Sequence, residues 1–142
     1  MSRKEIAAES VAEAYLALLA ERGVEYLIAN AGTDFAPIIE AYAKSCNTGL
    51  KAPKPLIATH ENVAISMAHG YAAASGKVPA VMVHVSVGTA NAVCGVFNAA
   101  REHVPLAADR RGRLRGARQL HPLGARDVRP GRHAARDGQM GV

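Results

Sequence analysis

The spacing of apolar residues along residues 1–105 changes repeatedly between a strand pattern and a helix pattern. Short apolar runs at Val24–Ala29, Leu56–Ala58 and Ala80–Val85 are typical of strands buried in a sheet. In the segments around them, apolar residues recur every three or four positions, which predicts helices with one apolar face. Strands that alternate with helices favour a parallel sheet with right-handed crossovers. The pattern therefore predicts an α/β domain.

Cap and breaker residues predict where the first two helices begin and end. Ser2 and Glu5 have the spacing of a capping box, so we expect the first helix to start there and to end at Gly23. Asp34 is predicted to cap the N-terminus of the second helix. The segment 46–54 contains Asn, Gly and Pro, which predicts a surface loop before the second strand.

The second strand run leads directly into a helix with an acidic residue, Glu61, in its first turn. Val63, Met67 and Tyr71 then recur at helical spacing, with Ala64, Ala68 and Ala72 beside them, which predicts one apolar face of this helix. Gly76 is predicted to end it, because glycine adopts positive φ without strain. An open parallel sheet binds ligands at the carboxyl ends of its strands. Glu61 is therefore a candidate site residue; the alternative is that it only stabilises the helix dipole.

The composition is that of a globular protein. The chain has 142 residues, of which 49% are hydrophobic, enough for one domain with a core. We find no signal-peptide pattern and no apolar run long enough to span a membrane, so we expect a cytoplasmic protein that contacts no membrane. Cys46 and Cys94 lack metal-ligand spacing and are predicted to be free thiols. The histidines show no zinc spacing, and no nucleotide-binding glycine loop or nucleophile elbow occurs.

The net charge of +5 arises entirely from the last quarter of the chain. Residues 1–105 carry eight Lys or Arg and nine Asp or Glu, whereas residues 106–142 carry nine Arg and three Asp. The second segment has no apolar period and too little apolar surface to offset the entropy of ordering it, so we expect a disordered basic tail. Arginines in such a tail can contact nucleic-acid phosphates, but no aromatic residue is present to stack on bases. Nucleic acid is therefore not the expected partner.

Three motifs occur in order: His-Glu-Asn at 60–62, Ala-His-Gly-Tyr-Ala at 68–72 and Ser-Gly-Lys at 75–77. Together they resemble the pyrimidine-binding domain of thiamine-diphosphate enzymes of the acetolactate synthase and benzoylformate decarboxylase group, over about residues 5–105. The resemblance implies a three-layer α/β domain with a parallel sheet that binds thiamine diphosphate. It also implies a parent enzyme that decarboxylates 2-oxo acids, with carboligation or release of an aldehyde.

The resemblance implies which residues contact the cofactor. Glu61 matches the glutamate that hydrogen-bonds the pyrimidine ring nitrogen, and we expect an apolar cleft to raise its pKa so that it can share a proton with that nitrogen. Gly32 and Thr33 match the glycine-containing loop after the first strand, near the cofactor and the substrate. The alternative for Gly32 is a tight turn that needs positive φ.

A small-residue segment after the third strand run matches part of a second family motif. Gly88 and Asn91 match the last two defined positions of the Gly-Pro-Gly-x-x-Asn motif that many relatives have, while Ser86 and Val87 depart from it. The resemblance implies that the backbone here approaches the pyrimidine ring. The alternative is a turn between strand and helix with Thr89 as the cap.

Three histidines near these motifs receive other interpretations. His60 precedes the glutamate. We expect it to hydrogen-bond a protein group next to the residues that contact the cofactor; the alternatives are that it faces the substrate or a partner subunit. His69 stands where many relatives have an acid and is interpreted as structural. His84, in the middle of a predicted strand, is interpreted as a core histidine.

The Gly-Asp-Gly…Asn motif that holds the diphosphate and Mg²⁺ in this family does not occur in the sequence. The resemblance therefore implies that a separate domain holds these groups, contributed by another copy in a homo-oligomer or by a partner chain. We expect this chain to supply half of a site and to be inactive by itself. The alternative is a truncated fragment with no function of its own.

The tail also departs from the family. Relatives continue after the equivalent of residues 104–106 with an aliphatic strand and later carry Ile-His-Trp, and neither occurs within residues 106–142. A one-base shift of the reading frame allows the codons of residues 121–123, His-Pro-Leu, to spell Ile-His-Trp. We predict that the tail is translated out of frame, which removes a strand and leaves Ala80–Val85 as an exposed edge.

Overall fold

The computed structural model describes residues 8–111 of the chain. A short 3₁₀ turn, Thr33–Phe35, lies between the first strand and the second helix. The strands and α-helices, in order, are α1 Val11–Glu21, β1 Tyr26–Ala29, α2 Ala36–Thr48, β2 Lys54–Ile57, α3 Glu61–Ser75, β3 Ala80–His84, α4 Val85–Arg101 and β4 Ala107–Arg111.

The strands form one parallel sheet in the order β2-β1-β3-β4, with helices on both faces. Successive residues of a strand point to opposite faces of the sheet. Leu27 accordingly joins a core with Leu16 of α1. Its neighbour Ile28 joins a second core with Ile65 of α3. This arrangement confirms the predicted three-layer α/β architecture.

Helix α1 begins later than the sequence pattern predicts. Its N-cap is Ser10, whose hydroxyl oxygen accepts from the backbone N–H of Glu13 at 3.2 Å. The Glu13 carboxylate in turn accepts from the backbone N–H of Glu9 at 3.0 Å. Ser2 and Glu5 lie outside the described residues. The same Ser-x-x-Glu spacing occurs twice in the sequence, and the prediction took the first occurrence as the start of the helix.

Three further expectations, about the second helix, the loop after it and the second strand, are wrong in whole or in part. Asp34 does not cap α2, which starts after the 3₁₀ turn and continues to Thr48, so the first part of the predicted loop is helical. Gly49 ends the helix with φ 69°. Among the described residues, strand β2 pairs only with β1 and so lies at the edge of the sheet, which leaves Ile57 73% exposed instead of buried.

Helix α3 ends at Gly76, with φ 69°, as predicted. Its predicted apolar face is buried in part: Ala64, Ala68 and Ala72 are buried, whereas Val63 and Met67 are 46% and 42% exposed. A Cβ atom on Gly95 of α4 would lie 2.6 Å from Cγ2 of Ile65, so the two helices approach closely. Close approach favours small side chains at the contact. The buried face is therefore the one rich in alanine: Glu61, Ala64, Ile65, Ala68 and Ala72.

Strand β4 lies beyond the predicted domain boundary at residue 105. It pairs with β3 along Ala80–His84. The prediction that β3 forms an exposed edge is therefore wrong. Residues 112–142 lie outside the described part of the chain, so the predictions of disorder and of a shifted frame there stay predictions. Within residues 8–111, no helix combines the length and hydrophobicity needed to cross a membrane.

Candidate functional site

The loops that follow β1, β2 and β3 meet at the carboxyl edge of the sheet, because the three strands are parallel and adjacent. The loop after β1 carries Gly32 and Thr33, and β2 leads to Glu61 at the start of α3. Strand β3 leads directly into α4, which carries Gly88 and Asn91. All five predicted cofactor residues therefore follow the ends of adjacent strands.

Glu61 is the first residue of α3, and it is 6% exposed. Its Oε2 accepts a hydrogen bond from Nδ2 of Asn91 at 3.0 Å. This bond is the main reason that the pKa of Glu61 is lowered; burial opposes it, and the charges of His60 and His84 add smaller lowering effects. The expectation of a raised pKa is therefore wrong. It considered burial without the amide donor, which contacts the ionised form and stabilises it.

Gly88 lies within the first turns of α4 and is buried against Glu61. A Cβ atom at this position would lie 2.7 Å from Oε1 of Glu61. The absence of a side chain at Gly88 therefore makes room for the carboxylate. The alternative in which Thr89 caps a turn is wrong, because α4 begins directly after His84 and the Thr89 hydroxyl donates to the carbonyl oxygen of Val85 at 2.7 Å.

The structure adds a pair of residues that the sequence analysis did not place at the site. His84 is the last residue of β3, not a core residue in mid-strand, and its Nδ1 lies 2.5 Å from Oδ1 of Asp34. The His84 side chain is 36% exposed. The imidazole and the carboxylate therefore lie within hydrogen-bonding distance at the edge of the sheet. Their positions, each just after a strand or at its end, were the sequence signal that could have identified them.

Gly32 lies against the His84 ring. A Cβ atom on Gly32 would come within 2.3 Å of Nδ1 of His84. The φ angle of Gly32 is −125°, so the alternative of a turn that needs positive φ is wrong. Glycine is needed here because the imidazole occupies the space of a side chain. Thr33 follows in the 3₁₀ turn and is exposed.

His60 and His69 contact other groups. His60 is the N-cap of α3, and its Nδ1 accepts from the backbone N–H of Asn62 at 3.1 Å. This bond holds the first turn of the helix on which Glu61 lies. Nε2 of His69 lies 3.1 Å from Oε2 of Glu102, which joins α3 to the end of α4. The residues from 8 to 111 include no group of three or more His, Cys, Asp or Glu that could hold a metal ion.

Comparisons with known proteins give one consistent result. Residues 9–116 match the family model described as the thiamine pyrophosphate enzyme, N-terminal TPP binding domain. The acetolactate synthase large subunit of Haemophilus influenzae is 33% identical over 97 residues, which are 68% of this chain and 16% of the relative. The Lactococcus lactis subsp. lactis acetolactate synthase large subunit is 35% identical over 91 residues, which are 64% of this chain and 15% of the relative. The chain thus spans about one sixth of the length of these curated relatives.

A solved structure supports the same fold. The benzoylformate decarboxylase of Polynucleobacter necessarius superposes with a TM-score of 0.58 at 19% sequence identity. The match covers 70% of this chain and 18% of that one. At this identity the likeness shows the fold alone.

Proposed function

The chain belongs to the thiamine pyrophosphate enzyme family, as an N-terminal TPP binding domain, and from this premise we propose that it binds the pyrimidine half of thiamine diphosphate at Glu61. The proposed site is the carboxyl edge of the sheet between β1 and β3. The whole enzyme to which it corresponds would act on 2-oxo acids, by decarboxylation with carboligation.

The observation that carries the proposal is the Glu61 carboxylate. It is 6% exposed, lies in the first turn of a helix that follows a strand, and is oriented by Asn91. A buried carboxylate with a fixed orientation can share a proton with a weakly basic ring nitrogen. These residues therefore fit the pyrimidine half of the cofactor. When bound, thiamine diphosphate supplies a carbon that can hold the electrons released from a 2-oxo acid.

The neighbouring residues have supporting roles in the proposal. Gly32 and Gly88 leave room for the His84 ring and for the Glu61 carboxylate, so both glycines support side chains that line the proposed site. Thr33 is exposed beside this loop and can hydrogen-bond a ligand through its hydroxyl. His60 holds the first turn of α3 and so keeps Glu61 in place.

We assign the diphosphate and Mg²⁺ to a separate domain, since the Gly-Asp-Gly…Asn motif does not occur in this sequence. Affinity for the diphosphate depends largely on charge and metal contacts. Thiamine, which lacks the diphosphate, should therefore bind this chain about as well as thiamine diphosphate does. Both should bind weakly, with dissociation constants above the micromolar range.

Calorimetry on the full chain tests this function with thiamine and with thiamine diphosphate plus Mg²⁺. Inorganic diphosphate is the control for binding to arginines through charge alone. Glu61→Gln should abolish thiamine binding, whereas Glu40→Gln, at an exposed position on α2, should leave it unchanged. Absence of thiamine binding in the wild type would favour the alternative, a fragment with no function of its own. A submicromolar constant for thiamine diphosphate would contradict the assignment of half a site.

A further inference from the structure

Helix α4 contacts both oxygens of the Glu61 carboxylate. Asn91 donates from Nδ2 to Oε2 at 3.0 Å. Oε1 faces the backbone at Gly88, where a Cβ atom would lie 2.7 Å away. Gly88 and Asn91 are three positions apart and so share one face of the helix. The carboxylate is therefore confined between an amide donor and bare backbone of the same helix.

The two histidines whose charges affect Glu61 each contact another group through Nδ1. Nδ1 of His60, on the helix that carries Glu61, accepts from the backbone of Asn62. Nδ1 of His84, at the end of β3, lies against Oδ1 of Asp34. The two histidines contribute least to the lowered pKa of Glu61, and the Asn91 bond contributes most. The largest stabilisation of the ionised Glu61 carboxylate therefore comes from a neutral amide donor and not from a charged side chain.

We propose that Asn91 is a positioning residue, which holds Glu61 ionised and in one orientation before the cofactor binds. The role toward the cofactor rests on the function proposed above. An amide suits this task better than a lysine or arginine would. It stabilises the carboxylate by one hydrogen bond, but it adds no full charge that would prevent Glu61 from sharing a proton with a ring nitrogen.

Ligand binding should then be coupled to proton uptake. Because Glu61 is ionised beforehand, a proton shared between its carboxylate and a ring nitrogen has to come from the solvent. Thiamine binding near neutral pH should take up at most about one proton per complex. Calorimetry in buffers of different ionisation enthalpy measures this number. In Asn91→Ala the uptake should fall at mildly acidic pH, since more Glu61 is protonated before binding.

The decisive test uses no ligand. The Glu61 carboxyl group is titrated by carbon-13 NMR in the wild type, in Asn91→Ala and in Asn98→Ala. Asn98 is exposed on the same helix, so Asn98→Ala changes the helix propensity by the same amount as Asn91→Ala does. We expect the titration midpoint of Glu61 to rise in Asn91→Ala alone. Equal midpoints in the three proteins overturn the proposal.

A measurement on the wild type tests the proposal even if Asn91→Ala does not fold. The side-chain amide signals of Asn91 should shift with pH at the same midpoint as the Glu61 carboxyl, because the two groups share a hydrogen bond. An Asn91 amide that does not follow this titration overturns the proposal. If the amide follows it but thiamine does not bind, the proposed function fails, while the effect of Asn91 on Glu61 stands.

Discussion

The side chains of Asp34 and His84 join the ends of two neighbouring strands, with Oδ1 2.5 Å from Nδ1. His84 ends β3, and Asp34 lies in the 3₁₀ turn shortly after β1. Gly32, two residues earlier, lies against the same imidazole. A carboxylate, an imidazole and a glycine thus form one packed unit at the edge of the sheet where Glu61 also lies.

Gly32→Ala should break this unit. The added Cβ would lie 2.3 Å from Nδ1 of His84, so the ring must move and lose its bond to Asp34. Forcing extra volume into a packed site typically costs about 1–3 kcal/mol. Gly70→Ala is the control, because its Cβ would meet nothing within 4 Å. Urea unfolding measures both variants against the wild type; a Gly32→Ala variant as stable as the wild type would show that the ring moves freely.

Gly88→Ala should affect Glu61 more than it affects stability. The new Cβ would lie 2.7 Å from Oε1, so the carboxylate must turn away from Asn91. Replacing a helical glycine by alanine gains up to about 1 kcal/mol, which offsets part of the clash. We expect a free energy of unfolding within about 1 kcal/mol of the wild type and loss of thiamine binding. Gly70→Ala should bind thiamine normally, and normal binding by both variants would contradict the prediction.

Tyr42 should make the fold sensitive to alkali. Burial raises its pKa from 10.0 to about 12. The pKa of Tyr42 is higher in the folded state than in the unfolded state. The contribution of this tyrosine to the free energy of unfolding is therefore complete below pH 10.0 and is lost as the pH rises through about 12. Tyr42→Phe should reduce the loss of stability in this window, while Tyr26→Phe keeps Tyr42 and should behave as the wild type. Thermal unfolding between these pH values measures the effect.

At neutral pH, Tyr42→Phe should not destabilise the protein. Among the residues that the structure describes, the buried Tyr42 hydroxyl has no hydrogen-bond partner. An unsatisfied buried hydroxyl costs about 1–3 kcal/mol, so its removal should raise the free energy of unfolding by up to about 1 kcal/mol. A clear decrease at pH 7 would show that the hydroxyl has a partner.

The coding DNA tests the origin of the segment that begins near residue 106. We predict that this segment is translated out of frame, because it contains nine arginines and no lysine. In the shifted frame, the codons of residues 121–123 should read Ile-His-Trp. Codons at these positions that cannot encode Ile-His-Trp would end the idea. Residues Ala107–Arg111 form strand β4 as they are written in this sequence. A change of frame before or within this segment must therefore leave residues that can form a strand.

Local patterns in the sequence were sufficient to predict the central helix and its acidic first turn. The change of apolar period identified its start at Glu61, and the freedom of glycine at positive φ identified its end at Gly76. Both signals act within a few residues along the chain. The alternation of strands and helices likewise predicted a parallel sheet, and a parallel sheet places the strand ends at one edge.

Only the tertiary structure decided which faces and partners these elements have. Val63 and Met67 are more hydrophobic than the alanines of α3, yet they lie outside because α4 approaches too closely for large side chains. Glu61 pairs with Asn91 across 30 positions, and Asp34 with His84 across 50. Such contacts depend on strand order and helix packing, which leave no periodic trace in the sequence. The lowered pKa of Glu61 follows from one of them, so it could not be derived from burial alone.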